Sequence, residues 1–415
     1  MYVINIGRIH GIVDPAVSYL RGADMLRVPR TVDNAYIRVI DGTVDSFSYM
    51  DVCPAPGCGE DVIDARGGIV IPSFCDSHTH IIYAGSREGE FVDKIKGLTY
   101  EEIARRGGGI LNSADRLHDT PEDELFETAL SRARLMMERG TAAFEVKTGY
   151  GLNTVDELKM LRVAARLRDA VDARVRITFL GAHAVGRAYT GRQSAYVDML
   201  VDEMLPAIAA EGIADYVDVF CDTGFFTPEE TTRIIKAAAP YGMLPKIHAN
   251  ELGISGGVQA GVGGNAVSVD HLEQIGDEEI ELLASSSTVA TMLPGASFFS
   301  RLPYGKARHA VDSGAILALA SDYNPGSSPS GDMRFVMTLG CIQMRLLPQE
   351  ALSACTINGA AAMQLGDVCG SIAKGRDASF IIVRPGVSLD YIPYAYTEPF
   401  IATALLRGKP VSPAS

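Results

Sequence analysis

Residues 68–91 read GIVIPSFCDSHTHIIYAGSREGEF, and the way this stretch divides decides the fold. Ile69-Val70-Ile71 is an apolar β-run. It leads through Cys75-Asp76-Ser77 to His78-Thr79-His80. In extended chain, residues two apart point to the same face. His78 and His80 therefore aim together at whatever lies beyond the strand. Two imidazoles on one face are a ligand pair for a divalent metal. Taken alone, the pair is equally compatible with two solvent-facing histidines, so the rest of the chain must decide.

Working outward, a strand, loop, helix pattern repeats from Gly68 onward. Buried-looking strands are expected at Ile69–Ser73, Ala142–Lys147, Arg174–Leu180, Tyr216–Phe220, Leu244–His248, Ala266–Val269, Thr288–Met292 and Ile316–Ala320. Helices are expected at Glu101–Arg106, Pro121–Arg139, Thr154–Asp169, Gln193–Glu211, Pro228–Ala239, Asp277–Ser285, Gly305–Ser313 and Asp332–Leu346. Eight strands with helical connections are the signature of an α/β protein of the (β/α)8, TIM-like barrel type. The first connection, from His80 to about Ala142, is long, and Gly107-Gly108-Gly109 makes part of it flexible enough for a loop over a site.

The two ends differ from this pattern. Tyr2–Ile6, Ala35–Ile40, Thr43–Tyr49 and Asp61–Asp64 are short β-runs, with Asp41-Gly42 as a hairpin turn. After the helix-rich Glu350–Leu365, residues 370–383 return to β character. The expected organisation is a small β-sandwich-like domain built from residues 1–67 and 367–415, around a barrel of residues 68–366.

Composition sets limits on function. Hydrophobic residues make up 47% of the chain, enough for a large core, and charged residues 21%. A formal charge of −14 speaks against nucleic acid or an anionic membrane as partner, but not against a small anionic substrate held by a local Arg. No apolar run of about 18 residues suggests a membrane span. Met1–Ile6 lack the basic start and apolar block of a secretory signal, so a cytoplasmic location is expected. The seven cysteines are odd in number and scattered. Cys53 and Cys58 share a Pro/Gly loop, but no second pair completes a metal knuckle, and free thiols are expected.

In such a barrel, chemistry sits at the C-terminal ends of the strands. Of the chain's eight histidines, His78, His80, His183, His248 and His271 fall at these ends. The last strand ends on Ser321-Asp322-Tyr323-Asn324-Pro325-Gly326-Ser327. His78, His80, His248 and Asp322 make a sensible ligand set for one zinc or iron ion per subunit, with a water completing it. Such an ion lowers the pKa of its water from 15.7 toward about 7. Glu251, just beyond the fifth strand, is placed to shuttle that water's proton, or else caps a helix. His271 is a candidate to polarise a carbonyl oxygen, or else is structural. Two-metal barrels usually need a bridging Lys on strand four. Here that strand ends Phe220-Cys221-Asp222, while Lys147 lies on strand two, where a structural role suits it. A single metal is therefore expected.

These features together resemble the amidohydrolase superfamily. Four local blocks are more specific: Asp76–His80 with Ala84-Gly85-Ser86-Arg87, then Gly107–Ile110, then Glu145–Leu152 (EVKTGYGL), then Asp322–Ser327. They resemble the imidazolonepropionase family, over about residues 68–365. That resemblance implies hydrolytic opening of 4-imidazolone-5-propanoate to N-formimidoyl-L-glutamate, in histidine breakdown, with Glu251, His271 and Asp322 as catalytic groups. It implies Arg87 as the grip on the substrate's propionate, through two parallel hydrogen bonds. It makes Tyr150, His183 and Tyr100 substrate contacts, and Asn324, Gly326 and Ser327 a loop that approaches bound product. It also suggests a homodimer. The rival activity is a purine or pyrimidine deaminase of the same superfamily, against which Arg87 speaks, since a neutral base needs no carboxylate clamp. A metal-free scaffold is the remaining rival, and every ligand type is still in place.

Overall fold

The polar residues of the stretch 68–91 are held by a closed ring of parallel strands. A computed structural model describes residues 1–98, 102 and 108–411. Phe74–Asp76, Thr141–Lys147, Arg174–Ala182, Tyr216–Cys221, Leu244–Ala249, Ser268–His271, Val289–Met292 and Leu317–Leu319 form an eight-stranded parallel sheet in chain order. Thr141–Lys147 is buried at every position, because helices cover one face and the barrel interior the other. The ring closes just past the named strands. Thr79 bridges in parallel to Tyr323. His80 N–H donates to the Tyr323 carbonyl at 2.9 Å, and Asp322 N–H to the His78 carbonyl at 3.0 Å. The HxH segment and the end of the last strand are thus one ladder, and His78, His80 and Asp322 are neighbours by backbone pairing.

One expected strand belongs elsewhere. Ile69–Pro72 does not open the barrel; it pairs in parallel with Tyr2–Ile12, Ile9 opposite Val70, and antiparallel with Phe380–Val383, Ile381 opposite Ile71. The barrel strand starts afresh at Phe74. An apolar Ile-Val-Ile run fits either sheet; Ser73 N–H still donates to the Ser379 carbonyl at 3.2 Å, and Phe74 N–H, donating to the Gly140 carbonyl at 2.9 Å, is the first to join the barrel. The sheet it joins runs Lys409–Val411, Ile401–Leu406, Phe380–Val383, Ile69–Pro72, Tyr2–Ile12, Arg30–Ile40, Thr43–Tyr49, with Val62–Asp64 also on Tyr2–Ile12. Both chain ends therefore build it, around a core of its own that includes Val3, Ile6, Ile37, Phe380 and Leu405. Its wings return toward each other at Ala378, whose N–H donates to the Gly42 carbonyl at 2.8 Å and whose carbonyl accepts from Gly408 N–H at 2.9 Å.

The outer helices largely follow the expected order. Thr227 caps Pro228–Ala238 reciprocally with Glu230, and Asn153 accepts from Asp156 N–H at the start of Thr154–Ala170. The long first connection holds helices Glu88–Ile95, Ile110–Asp119 and Glu122–Glu138. The helix expected over 101–106 falls almost wholly outside the described residues. Glu88–Ile95 and Ile110–Asp119 were not among the expected helices, and neither were Gly257–Gly263 and Pro294–Ser300 in the later part of the barrel. Of these last two, the first reads as a glycine-rich loop, yet a Cβ at Gly257 would come within 2.8 Å of the Cys221 carbonyl and 2.9 Å of the Ala249 side chain. Its glycines let a helix lie flat on the strands.

Candidate active site

The ladder between the HxH segment and Asp322 meets the end of the fifth strand. His78 Nε2 lies 3.2 Å from His80 Nε2, and His80 Nε2 lies 3.4 Å from His248 Nε2. Asp322 Oδ1 is 3.6 Å from His78 Nε2 and 3.7 Å from His80 Nε2. Nitrogens bonded to one ion at about 2.0–2.1 Å in tetrahedral array stand about 3.3 Å apart. All four side chains are buried. Burial holds the imidazoles of His78 and His80 well below their usual pKa, so both are neutral, as ligation requires. Burial raises the carboxyl of Asp322, a cost that an adjacent cation removes. The donor set therefore fits a divalent ion.

Behind the imidazoles lies a buried layer of charge. His78 Nδ1 is 2.7 Å from Asp270 Oδ2, and His248 Nδ1 is 2.9 Å from Asp218 Oδ2. Each carboxylate fixes the tautomer that turns Nε2 toward the centre. Lys147 Nζ donates to Glu145 at 2.9 Å and to Asp218 at 2.7 Å, and lies 3.5 Å from Asp270. Lys246 Nζ donates to Glu145 at 2.6 Å and to the Ser77 carbonyl at 2.8 Å. Burial works against the Lys147 ammonium, yet Asp218, Glu145 and Asp270 together raise its pKa. Burial likewise opposes an ionised Asp218, and His248 and Lys147 hold it well below the usual range.

The strand ends turn sharply to present these groups. Asn250, His271, Leu272 and Asp322 have φ of 57°, 85°, 68° and 55°. Positive φ is costly for residues other than glycine, so these turns are held by the structure around them.

Above this floor is a cavity of about 370 Å³, within the usual range for a small-molecule site. His80, Arg87, Tyr150, His183, His248, Glu251, His271, Asp322, Asn324, Gly326 and Ser327 all line it. Tyr100 lies outside the described residues. Burial pushes the Glu251 carboxyl up to about 7. His271 Nδ1 sits 3.6 Å from Glu251 and 3.4 Å from Glu273. Burial would lower its pKa, but these two carboxylates raise it well above the usual value. His183 is neutral, pushed down to about 3 by burial, and its Nδ1 lies 3.0 Å from the Gly149 carbonyl. Arg87 donates to Glu90 through Nε at 3.0 Å and Nη2 at 2.5 Å. Asn324 is committed within its loop: its amide donates to the Asp322 carbonyl and the Ser327 hydroxyl, and its oxygen accepts from Gly326 and Ser327 N–H. Ser327 Oγ donates to Asp322 Oδ2 at 2.9 Å and so orients a ligand oxygen.

Some participants went unread in the sequence. Glu145, Asp218, Lys246 and Asp270 lie inside strands and meet only across the closed barrel. Glu157, one helical turn into Thr154–Ala170, accepts from Gly149, Gly151 and Leu152 N–H at 3.2, 2.7 and 3.0 Å, and holds the loop that carries Tyr150. Three N–H groups around one acid have no short-range sequence signal.

The family model described as "Amidohydrolase family" matches residues 69–405, and the chain belongs to that family. The imidazolonepropionase of Flavobacterium johnsoniae is 46% identical over 98% of this chain and 98% of its own, and that of Christiangramia forsetii 45% over 99% of each. At that identity and coverage the chain falls among the imidazolonepropionases. Guanine deaminase of E. coli superposes with a TM-score of 0.74 over 100% of this chain and 99% of its own, at 14% identity, which speaks for the fold alone.

Proposed function

We propose that this chain opens the ring of 4-imidazolone-5-propanoate by hydrolysis, giving N-formimidoyl-L-glutamate in histidine breakdown. One observation carries the reading: His80, His248 and Asp322, with His78 packed against them, line a cavity that Arg87 also lines, in a chain 46% identical to an imidazolonepropionase. One zinc or iron ion held by those four side chains would supply Lewis acidity and a water of pKa near 7.

The chain's own groups do the rest. Glu251 takes a proton from the attacking water and returns it to the departing ring nitrogen; a carboxyl at about 7 is matched to both tasks near neutrality. His271, held protonated by Glu251 and Glu273, donates a hydrogen bond to the oxygen of the ring carbonyl as it gains negative charge. Arg87 binds the propionate. Tyr150, His183 and Tyr100 pack and orient the ring, and the Asn324-Pro325-Gly326-Ser327 loop meets the product. We take the enzyme to be a cytoplasmic homodimer with a small anionic substrate and neither nucleic acid nor membrane as partner. The described residues include no helix long and apolar enough to cross a membrane.

The test is an absorbance assay of freshly made imidazolone propionate beside metal analysis of the same preparation. Turnover that scales with bound metal is expected. Ammonia release from guanine, adenine or cytosine, with the imidazolone untouched, would replace this reading by a deaminase.

A further inference from the structure

Arg87 is an incomplete anion site. Its guanidinium is already bonded to Glu90, whose other oxygen accepts from Gly109 N–H at 3.1 Å. Much of the Arg87 charge is therefore cancelled before any substrate arrives. The attraction for a propionate must come partly from elsewhere along the same wall.

Lys94, two turns further along the helix Glu88–Ile95, also lines the cavity. Its Nζ donates to the Gly326 carbonyl at 3.1 Å and lies 5.6 Å from the centre of the Phe299 ring. Among the described residues it pairs with no carboxylate, which leaves ammonium protons and a full charge to offer. A Cβ placed on Gly326 would come 2.2 Å from Arg87 Nη1, so Arg87 and Lys94 both pack on this one glycine. Half-burial, and then repulsion from Arg87, lower the Lys94 pKa, while Glu90 and Glu251 oppose the shift. Two cations held side by side, with only one of them neutralised, form a setting that an incoming anion relieves.

We propose that Lys94 is a specificity-determining residue, which with Arg87 binds the carboxylate of the substrate's side arm across Gly326. The inference rests on the function proposed above for the substrate, but its geometry calls only for a small carboxylate. Lys94 reads charge, and Arg87 reads carboxylate shape through its planar fork.

The experiment compares the wild type with Lys94→Met, which keeps the stem on Phe299 and drops the charge, and with Lys94→Arg. In turnover of imidazolone propionate, Lys94→Met should raise KM about ten- to a hundredfold, the loss of one charge-assisted hydrogen bond, with kcat within about twofold. Lys94→Arg should recover most of that loss. Calorimetric binding of glutarate to metal-loaded protein, which needs no turnover, should weaken by a similar factor in Lys94→Met. An unchanged KM and unchanged glutarate affinity overturn the proposal, as does a fall in kcat at constant KM, the mark of a residue that only holds the Gly326 loop. If wild type binds glutarate and Lys94→Met does not, while neither turns over the imidazolone, the anion site stands and the proposed substrate falls.

Discussion

His248 joins two functions in one ring: Nε2 faces His80 at 3.4 Å, and Nδ1 faces Asp218 at 2.9 Å. His248→Ala removes a donor and leaves the Asp218–Lys147 pair intact behind it. The variant should fold, lose most of its metal by elemental analysis, and lose at least about a hundredfold in turnover, more than is typical for loss of an outer hydrogen-bond partner. Full metal content in this variant would remove His248 from the ligand set. Glu251 gives a pH signature. A base must be ionised to accept a proton, so kcat/KM should fall with unit slope as pH drops through the Glu251 pKa. That value is about 7 for the buried carboxyl, and a neighbouring cation moves it lower. Glu251→Gln should erase this acid limb and cost about 10²–10⁴ in kcat, and a limb that survives the substitution assigns the base elsewhere. At this scale the sequence was informative because ligand-type residues stand at strand ends, where position alone implies a shared mouth. Lys147 was legible only as structural and Asp218 not at all, since a buried ion pair between strands two and four is adjacent only in the closed ring.

Elements were legible where periodicity and length agreed, as in Thr154–Ala170, and misleading where a short apolar run fitted two sheets, as in Ile69–Pro72. The Gly149–Leu152 loop shows why a recognisable motif still needs a partner outside itself. Gly149 has φ of 107° and Leu152 of 54°, and their N–H groups converge on the Glu157 carboxylate. Burial raises the Glu157 carboxyl, partly offset by the Thr148 hydroxyl and by these backbone bonds. Glu157→Gln keeps the volume but places an amide NH2 against backbone donors. A loss of about 1–3 kcal/mol in urea unfolding is expected, the cost of a buried group left without its partner. A lower kcat/KM should accompany it, because Tyr150 is no longer held. Equal stability of the variant would mean that the loop holds itself.

Across the whole molecule, the layer beneath the metal-type cluster ties four strands together and tunes what sits above it. Lys147 and Lys246 face Glu145, Asp218 and Asp270, two cations against three carboxylates, which leaves one negative charge in excess. Asp218 and Asp270 bring that charge up against Nδ1 of His248 and His78, and so hold in place the nitrogens turned to the ion. A divalent ion above and a net anion below stabilise each other, so metal affinity and barrel stability are linked. Lys147→Met separates the two effects. Removing one partner of a fully buried ion pair typically costs about 3–5 kcal/mol, because the remaining carboxylates stay buried without compensation. Metal-free protein should therefore lose roughly this much in urea unfolding. Metal-loaded protein should lose less, because the ion takes over part of the neutralisation that Lys147 supplied. Equal losses with and without metal would show that the layer is structural filling, with no electrostatic link to the site above it.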